Sequence, residues 1–238
     1  MARRAADEIG ELARRRPRCV LALPAGRTSV ALYEEMGRRE NDRRLDLGQA
    51  TVFLLDEYVG LLPEDEVTNL SFLERHLLAR LPVGLVVCPD GGAANPEAEA
   101  AAYEAAIAGV GGLDLAVLGI GGNGHVGLNE PGTPPDSRTR VAQLAPSSRR
   151  DLAWAFGGRT RNVPRAGYTL GLGTILEARS LLLLATGEAK ARILRHALAG
   201  PVTEAVPASL LRRHQRLLVI VDEAAASLLP PSLKTEEA

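Results

Sequence analysis

The chain is poor in cysteine, in lysine and in long apolar runs, and each shortage excludes something. Only two cysteines occur among 238 residues, Cys19 and Cys88, too few for a disulfide framework. Their surroundings, RCVLAL and LVVCPD, read as buried strands in a reducing compartment. The longest uninterrupted apolar runs, such as LLLLA at 181–185, fall far short of the ~20 residues a membrane-spanning helix needs. The opening MARRAADEIGELARRR is charged throughout and has no apolar stretch of the kind a secretory signal carries. The expectation is a cytoplasmic protein that does not enter membranes. No sign of charge dominates either: 28 basic and 29 acidic residues leave a net charge of −1, which argues against both a nucleic-acid polycation and an acidic tail protein. Of the 28 basic residues only Lys190 and Lys234 are lysine. Where arginine serves nearly everywhere, an interior lysine such as Lys190 attracts notice.

What is present is ordinary globular material, 46% hydrophobic and 24% charged, enough for a sizeable core. Short β-branched apolar runs alternate with segments of helical periodicity, the pattern of βαβ units around a parallel sheet. Strands are expected at 18–23, 50–55, 84–88, 113–118, 165–170, 180–185 and 216–221. Helices are expected at 4–16, 28–39, 69–80, 96–108, 147–156, 188–199 and 208–213. The fold class is therefore α/β, a single-domain, doubly wound, Rossmann-like and mostly parallel sheet with helices on both faces. No composition break or repeat divides residues 1–238. The Gly- and Pro-rich loops at 119–136 and 157–164 lie inside the βα pattern, which marks them as site or lid rather than linker.

In open parallel sheets ligands bind beyond the carboxyl ends of the strands, where helix N-termini converge. The chemically interesting residues fall there: PAGRTS (24–29), Asp56 and Glu57, GIGGNGH (119–125) and TGEAK (186–190). GIGGNG matches the dinucleotide spacing G-x-G-x-x-G, but HVGLNEPG follows, and Gly127 and Pro131 forbid the helix that spacing must open. The glycines instead let backbone approach a ligand, making Gly121 and Gly122 substrate contacts, and aim Asn123 and His125 into the cleft. His125 and Glu130, an imidazole and a carboxylate on one loop, suit proton transfer near neutrality. Asp56 ends the apolar run TVFLL, where Phe53, Leu55 and Tyr58 would desolvate it and raise its pKa towards that of a general base. Glu57 is then the solvent-facing, substrate-binding partner. Gly26, Arg27 and Thr28 open a helix whose N–H groups suit a phosphate, and Lys190 sits in the first turn of a later helix, where a bound anion would offset the dipole. At each position a structural alternative remains: a loop histidine bonded to backbone, a carboxylate capping a turn, a hydroxyl N-cap, a surface lysine.

LLDEYVGL (54–61), GIGGNGHVGLNEPG (119–132), SRTR (137–140) and GYTLGLGTILEARSLLLLATGEAKA (167–191) resemble the hexosamine-6-phosphate deaminases and isomerases over residues 18–223. The 6-phosphogluconolactonases share that fold but carry DGH and lack the NEP glutamate. The resemblance implies a reaction without metal or organic cofactor on a phosphosugar substrate. His125, oriented by Asn123 and supported by Glu130, would open the pyranose ring. Asp56 would carry a proton from C2 to C1, giving a C2 imine that water hydrolyses to ketose 6-phosphate and ammonia. Glucosamine 6-phosphate is the favoured substrate, on its commonness. PAGRTS and Lys190 correspond to the phosphate site, residues 144–165 to a lid, and the family to a homo-oligomer.

The chain departs from that pattern in places. Asn123 stands where many members have Asp. Trp154 aligns with a phosphate-binding lid arginine, so either Arg149, Arg159 or Arg161 supplies it or the phosphate is held less tightly. Only Arg140 remains of a basic pair that binds an allosteric effector, so activation by an N-acetylhexosamine phosphate should be weak or absent. The lid departure and AVPASLL (205–211) also resemble a galactosamine-6-phosphate branch, and the other readings are a lactonase-type hydrolase and a non-catalytic phosphosugar sensor.

Overall fold

A computed structural model describes residues 1–234; residues 235–238, the end of the expected domain, lie outside the described residues. The strands of the main sheet run β4-β2-β1-β5-β8-β9, all parallel: β1 (Val20–Leu23), β2 (Leu47–Leu54), β4 (Val83–Val87), β5 (Leu115–Leu118), β8 (Leu181–Ala185) and β9 (Leu217–Val221). Successive side chains of a strand point to opposite faces, and β1 shows the consequence. Leu21 and Leu23 join one core with Ile9 of α1 (Ala2–Arg15), Leu32 and Met36 of α2 (Arg27–Asn41) and Leu73 of α3 (Asn69–Leu73). Val20 and Ala22 join another with Ile107 of α4 (Pro96–Gly109), Ile175 of α6 (Leu172–Leu176), Leu194 of α7 (Ala191–Ala199) and Ala208 of α8 (Pro207–Leu210). Helices thus cover both faces, as the alternation of the sequence required.

One expected strand belongs elsewhere. Residues 165–170 form β7 (Ala166–Thr169), which lies in a separate antiparallel sheet, β3-β7-β6, with β3 (Asp56–Tyr58) and β6 (Arg140–Gln143). A short apolar run has the same period in either sheet, so the pattern alone did not show which partners it takes. The expected helices also break up at their ends. Residues 69–80 split into α3 and a π-helical turn at Glu74–Leu78. The 147–156 segment is α5 (Pro146–Leu152) followed by a 3-10 turn. Glu188–Lys190 is a 3-10 turn, which makes Lys190 the N-cap of α7 instead of a first-turn residue.

The second sheet roots the 144–165 segment. β6 and β7 pair, and Leu144 N donates to Arg165 O at 2.8 Å, so residues 144–165 leave and return at one point. A small core of Leu144, Ala153, Phe156 and Val163 packs with Tyr58 and Leu128, with the Tyr58 and Phe156 rings 5.3 Å apart edge to face. No helix among the described residues is long and apolar enough to cross a membrane.

Candidate active site

In the order β4-β2-β1-β5-β8-β9 the chain turns back between β1 and β5, and a crevice opens at such a switch point beyond the strand ends. The loop after β1 carries Gly26, that after β5 carries Gly119 to His125, and that after β8 carries Lys190. Asp56 enters from the side, on β3. These are the segments that the motifs singled out.

Asp56 is half-buried, and its Oδ1 accepts from Asn69 Nδ2 at 2.6 Å. Burial chiefly, and the neighbouring charge of Glu57 next, push its pKa up to about 7. Glu57 corrects an expectation. It is 3% exposed, and Oε1 accepts from Tyr58 N at 2.8 Å and Asn69 N at 3.0 Å, while Oε2 accepts from Leu70 N at 2.9 Å. With the Cys88 thiol 3.6 Å away, it is an inward brace between β3 and the start of α3, not a solvent-facing substrate contact. Strand alternation puts neighbours on opposite sides, and of this pair it is Glu57 that faces in.

The 119–130 loop folds onto itself through Gly121 N to His125 O at 2.9 Å and Gly124 N to Gly121 O at 3.0 Å. A Cβ on Gly121 would stand 2.1 Å from the His125 ring, so this glycine makes room for the imidazole. Gly127, at φ +57°, has no room for a side chain: its Cβ would meet Thr169 Oγ1 at 2.8 Å, and Asp56 Oδ2 lies 3.5 Å from that point. The Asp56 carboxylate therefore rests against the loop that carries His125, two residues along. His125 Nδ1 lies 2.7 Å from Asn123 Oδ1 and 3.1 Å from Ser148 Oγ, and Asn123 Nδ2 donates to Glu130 Oε2 at 2.7 Å. An amide that donates to the carboxylate turns its oxygen to the ring, so the network assigns the proton to Nδ1 and leaves Nε2 free to accept. Glu130 reaches the ring through Asn123, standing 3.8 Å from Nδ1, and its Oε1 accepts from Ala145 N at 3.0 Å, tying this network to the start of the 144–165 segment. Burial lowers the His125 pKa against the opposing charge of Glu130, which keeps the ring neutral.

Gly26, Arg27 and Thr28 follow β1, and Lys190 follows β8, at the ends of the strands that border the crevice. Gly26 is the N-cap of α2, Arg27 and Thr28 form its first turn, and half-buried Lys190 has its pKa lowered by burial. A cavity of about 460 Å³ opens between Gly26, Asn69, Leu152 and Trp154. The Arg27 guanidinium lies 4.7 Å from the centre of the Trp154 ring, within cation–π range. A carboxyl whose pKa is raised to about 7 and a neutral imidazole, with Arg27 and Lys190 on neighbouring segments, suit proton transfers on a small anionic ligand.

Residues 1–220 match the family described as glucosamine-6-phosphate isomerases/6-phosphogluconolactonase. The chain belongs to that family. It is 44% identical to a glucosamine-6-phosphate deaminase of Arthrobacter sp. (strain FB24) over 94% of this chain and 87% of the relative. It is 42% identical to glucosamine-6-phosphate deaminase 2 of Giardia intestinalis over 93% and 85%. Among solved structures, a monomeric glucosamine-6-phosphate deaminase superposes with a TM-score of 0.91 at 33% identity over 95% of both chains. A 6-phosphogluconolactonase from Trypanosoma cruzi superposes at 0.73 with 25% identity over 96% and 92%.

Within this family member one sequence expectation about arginine changes, and a second arginine gains a role. Arg149 does not reach the site: its Nε and Nη2 donate to Val163 O at 3.1 and 2.8 Å, and Nη2 to Thr160 O at 3.0 Å, holding the lid's own backbone. At the expected lid position Trp154 instead carries the Arg27 guanidinium, from the first turn of α2, on its ring. Arg140 is turned inward, donating to Asn129 Oδ1 at 2.8 Å and Thr133 Oγ1 at 3.2 Å. Asn129 itself, fully buried, donates to Val126 O and Leu170 O. Arg140 therefore secures the end of the 119–130 loop, a role that nothing in the spacing of SRTR announced.

Proposed function

We propose that this protein is an isomerising deaminase that converts glucosamine 6-phosphate to a ketose 6-phosphate and ammonia. The observation that carries the reading is the meeting of the Asp56 carboxylate with the loop of the Glu130–Asn123–His125 relay at Gly127. The deaminase relatives support it. The 6-phosphate lies against the N-terminus of α2, Arg27, Thr28 and Lys190, where N–H groups and two cations receive a dianion. His125 Nε2 takes the anomeric hydroxyl proton and returns it to the ring oxygen, opening the pyranose. Asp56 removes the proton from C2 and delivers it to C1, while O1 gains a proton and the C2 nitrogen loses one as the enolamine becomes the imine. A pKa of about 7 lets one carboxyl do both near neutrality, and such a transfer contributes about 10² to 10⁴ in rate. Water then adds to the C2 imine and ammonia leaves. None of these residues' roles needs a metal or an organic cofactor. Gly121 and Gly122 serve by giving space to the imidazole and to the lid.

The chain works as one catalytic domain over 1–238 with 144–165 as its lid. The unpaired Cys19 and Cys88 support a reducing, cytoplasmic setting. Sedimentation separates a homo-oligomer, which the resemblance implied, from a monomer like the 33%-identical neighbour. The test of function is release of ammonia from glucosamine 6-phosphate by the purified chain. Acid release from 6-phosphogluconolactone without ammonia would put a lactonase in its place.

A further inference from the structure

The lid carries a carboxylate that the scheme above leaves unused. Ser148 of α5 stands 3.1 Å from His125 Nδ1, and Ser147 and Ser148 lie 3.3 and 3.4 Å from Asn123 Nδ2, so this face of α5 sits on the catalytic loop. Residues three apart share a helix face, and Asp151 is three beyond Ser148. Its Oδ2 lies 3.1 Å from the point where a Cβ on Gly122 would stand. Among the described residues it has no hydrogen-bond or ion-pair partner, yet its charge acts on both His125 and Lys190. Its carboxylate therefore stands beside Gly122, on the loop that carries the imidazole, with Lys190 within electrostatic range.

We propose that Asp151 accepts a hydrogen bond from the C4 hydroxyl of the bound phosphosugar and so sets which 4-epimer the enzyme prefers. The inference rests on the deaminase reading, which fixes the ligand at three points: C1 and C2 at Asp56, the ring oxygen at His125, the phosphate at Lys190. Between ring oxygen and phosphate lie C5 and C6, with C4 branching from C5. The hydroxyl on C4 is the donor in that stretch. A phosphate dianion is repelled by a carboxylate, and the C2 amine lies at the Asp56 end, so neither suits Asp151. The gluco and galacto substrates differ only in the direction of this hydroxyl, and a site that hydrogen-bonds a substrate hydroxyl discriminates strongly against a ligand that fails to present it.

The experiment measures ammonia release by the wild type, Asp151→Asn and Asp151→Ala on glucosamine 6-phosphate, galactosamine 6-phosphate and 4-deoxyglucosamine 6-phosphate. Exposed Asp151 makes no packing contact that the fold needs, and inorganic phosphate as a competitive inhibitor reports whether each variant keeps its site. The expected result is a gluco-to-galacto ratio of kcat/KM that narrows about tenfold or more in Asp151→Ala. Loss of the C4 hydroxyl should cost the wild type about 10- to 100-fold and the alanine variant little. An unchanged epimer ratio together with an undiminished 4-deoxy loss in Asp151→Ala overturns the proposal. So does an equal gain on both epimers accompanied by tighter phosphate inhibition, which would make Asp151 a repulsive gate. Failure of the wild type to release ammonia from any of the three sugars overturns the deaminase reading itself.

Discussion

On one side of the site, Asp56 leaves the end of a buried parallel strand, and Glu57 beside it grips three backbone N–H groups. On the other, His125 is oriented by hydrogen bonds to Asn123 and Ser148, and its loop is joined to the lid through Ala145. Hydrogen bonds hold both sides, but burial acts on them in opposite directions: it raises the Asp56 pKa and lowers that of His125. The Asp56 side is anchored between a strand of the main sheet and α3, whereas the His125 side leans on the 144–165 segment, which has only a small core of its own. Under the proposed reaction, the base that holds and returns a proton is on the firmly anchored side, and the segment that admits and releases a sugar is on the other.

The largest test of this division is Asp56→Asn. Turnover should fall by about 10⁴-fold, the upper end for a lost proton transfer, while phosphosugar binding measured by calorimetry persists. In the wild type kcat/KM should climb with pH through about 7, where the carboxyl becomes a base. Stability should move the other way. The folded carboxyl, at about 7 against an ordinary 3.8, binds its proton more tightly than the unfolded chain does. Its contribution is present below the ordinary value and is lost as pH rises to the folded one. Asp56→Asn should thus melt higher than the wild type at about pH 8, by on the order of 2 kcal/mol after discounting for water at a half-buried side chain, and match it near pH 4. A wild-type rate in the variant would remove the base assignment, and equal melting at both pH values would remove the burial that raises the Asp56 pKa.

His125→Gln tests the lid side. Gln keeps polarity but carries no titratable proton, and the rate on pyranose substrate should drop about 10²-fold. An open-chain analogue, whose ring needs no opening, should be spared. Equal losses on both would show that His125 does more than open the ring.

How much of this was legible beforehand follows the same division. Asp56, His125, Asn123, Glu130 and Lys190 stand out in the sequence because strand ends and glycine-rich loops are marked by composition, and the parallel sheet because its strands are continuous apolar runs. Glu57 was given the wrong side, since a two-residue DE pair gives no sign of which carboxylate turns inward until β3 acquires its partner β7. That pairing joins segments more than a hundred residues apart, and β3 is too short to show a period. Arg149 and Arg27 show the same limit. Both are exposed-looking arginines in a chain full of them, and only the folded lid shows that one holds its own backbone while the other lies on Trp154.

Glu57→Gln sharpens the comparison with a smaller effect. The glutamine oxygen still accepts, but its amide would confront another N–H, either Leu70 N or the Tyr58 and Asn69 pair. The variant should lose about 1–3 kcal/mol of stability by thermal melting. Removing the negative neighbour should also lower the Asp56 pKa, because Glu57 is one of the two causes that raise it. The limb of kcat/KM near pH 7 should then shift to lower pH. A melting loss without that shift would mean that Glu57 braces the site without tuning its base.

The smallest effect belongs to Trp154, 39% exposed on the lid. Its ring supports the Arg27 guanidinium, and an exposed cation–π pair of this kind is worth about 0.5–1 kcal/mol. Trp154→Ala should therefore raise KM about two- to fivefold, leave kcat nearly unchanged, and weaken competitive inhibition by inorganic phosphate in proportion. Arg27→Ala should raise KM further, since it removes the cation as well as its support, and Trp154→Ala in that background should add little. A Trp154 effect that appeared in kcat instead would place the ring among the contacts that close the lid over the reaction, so that the two sides of the site would be coupled through it.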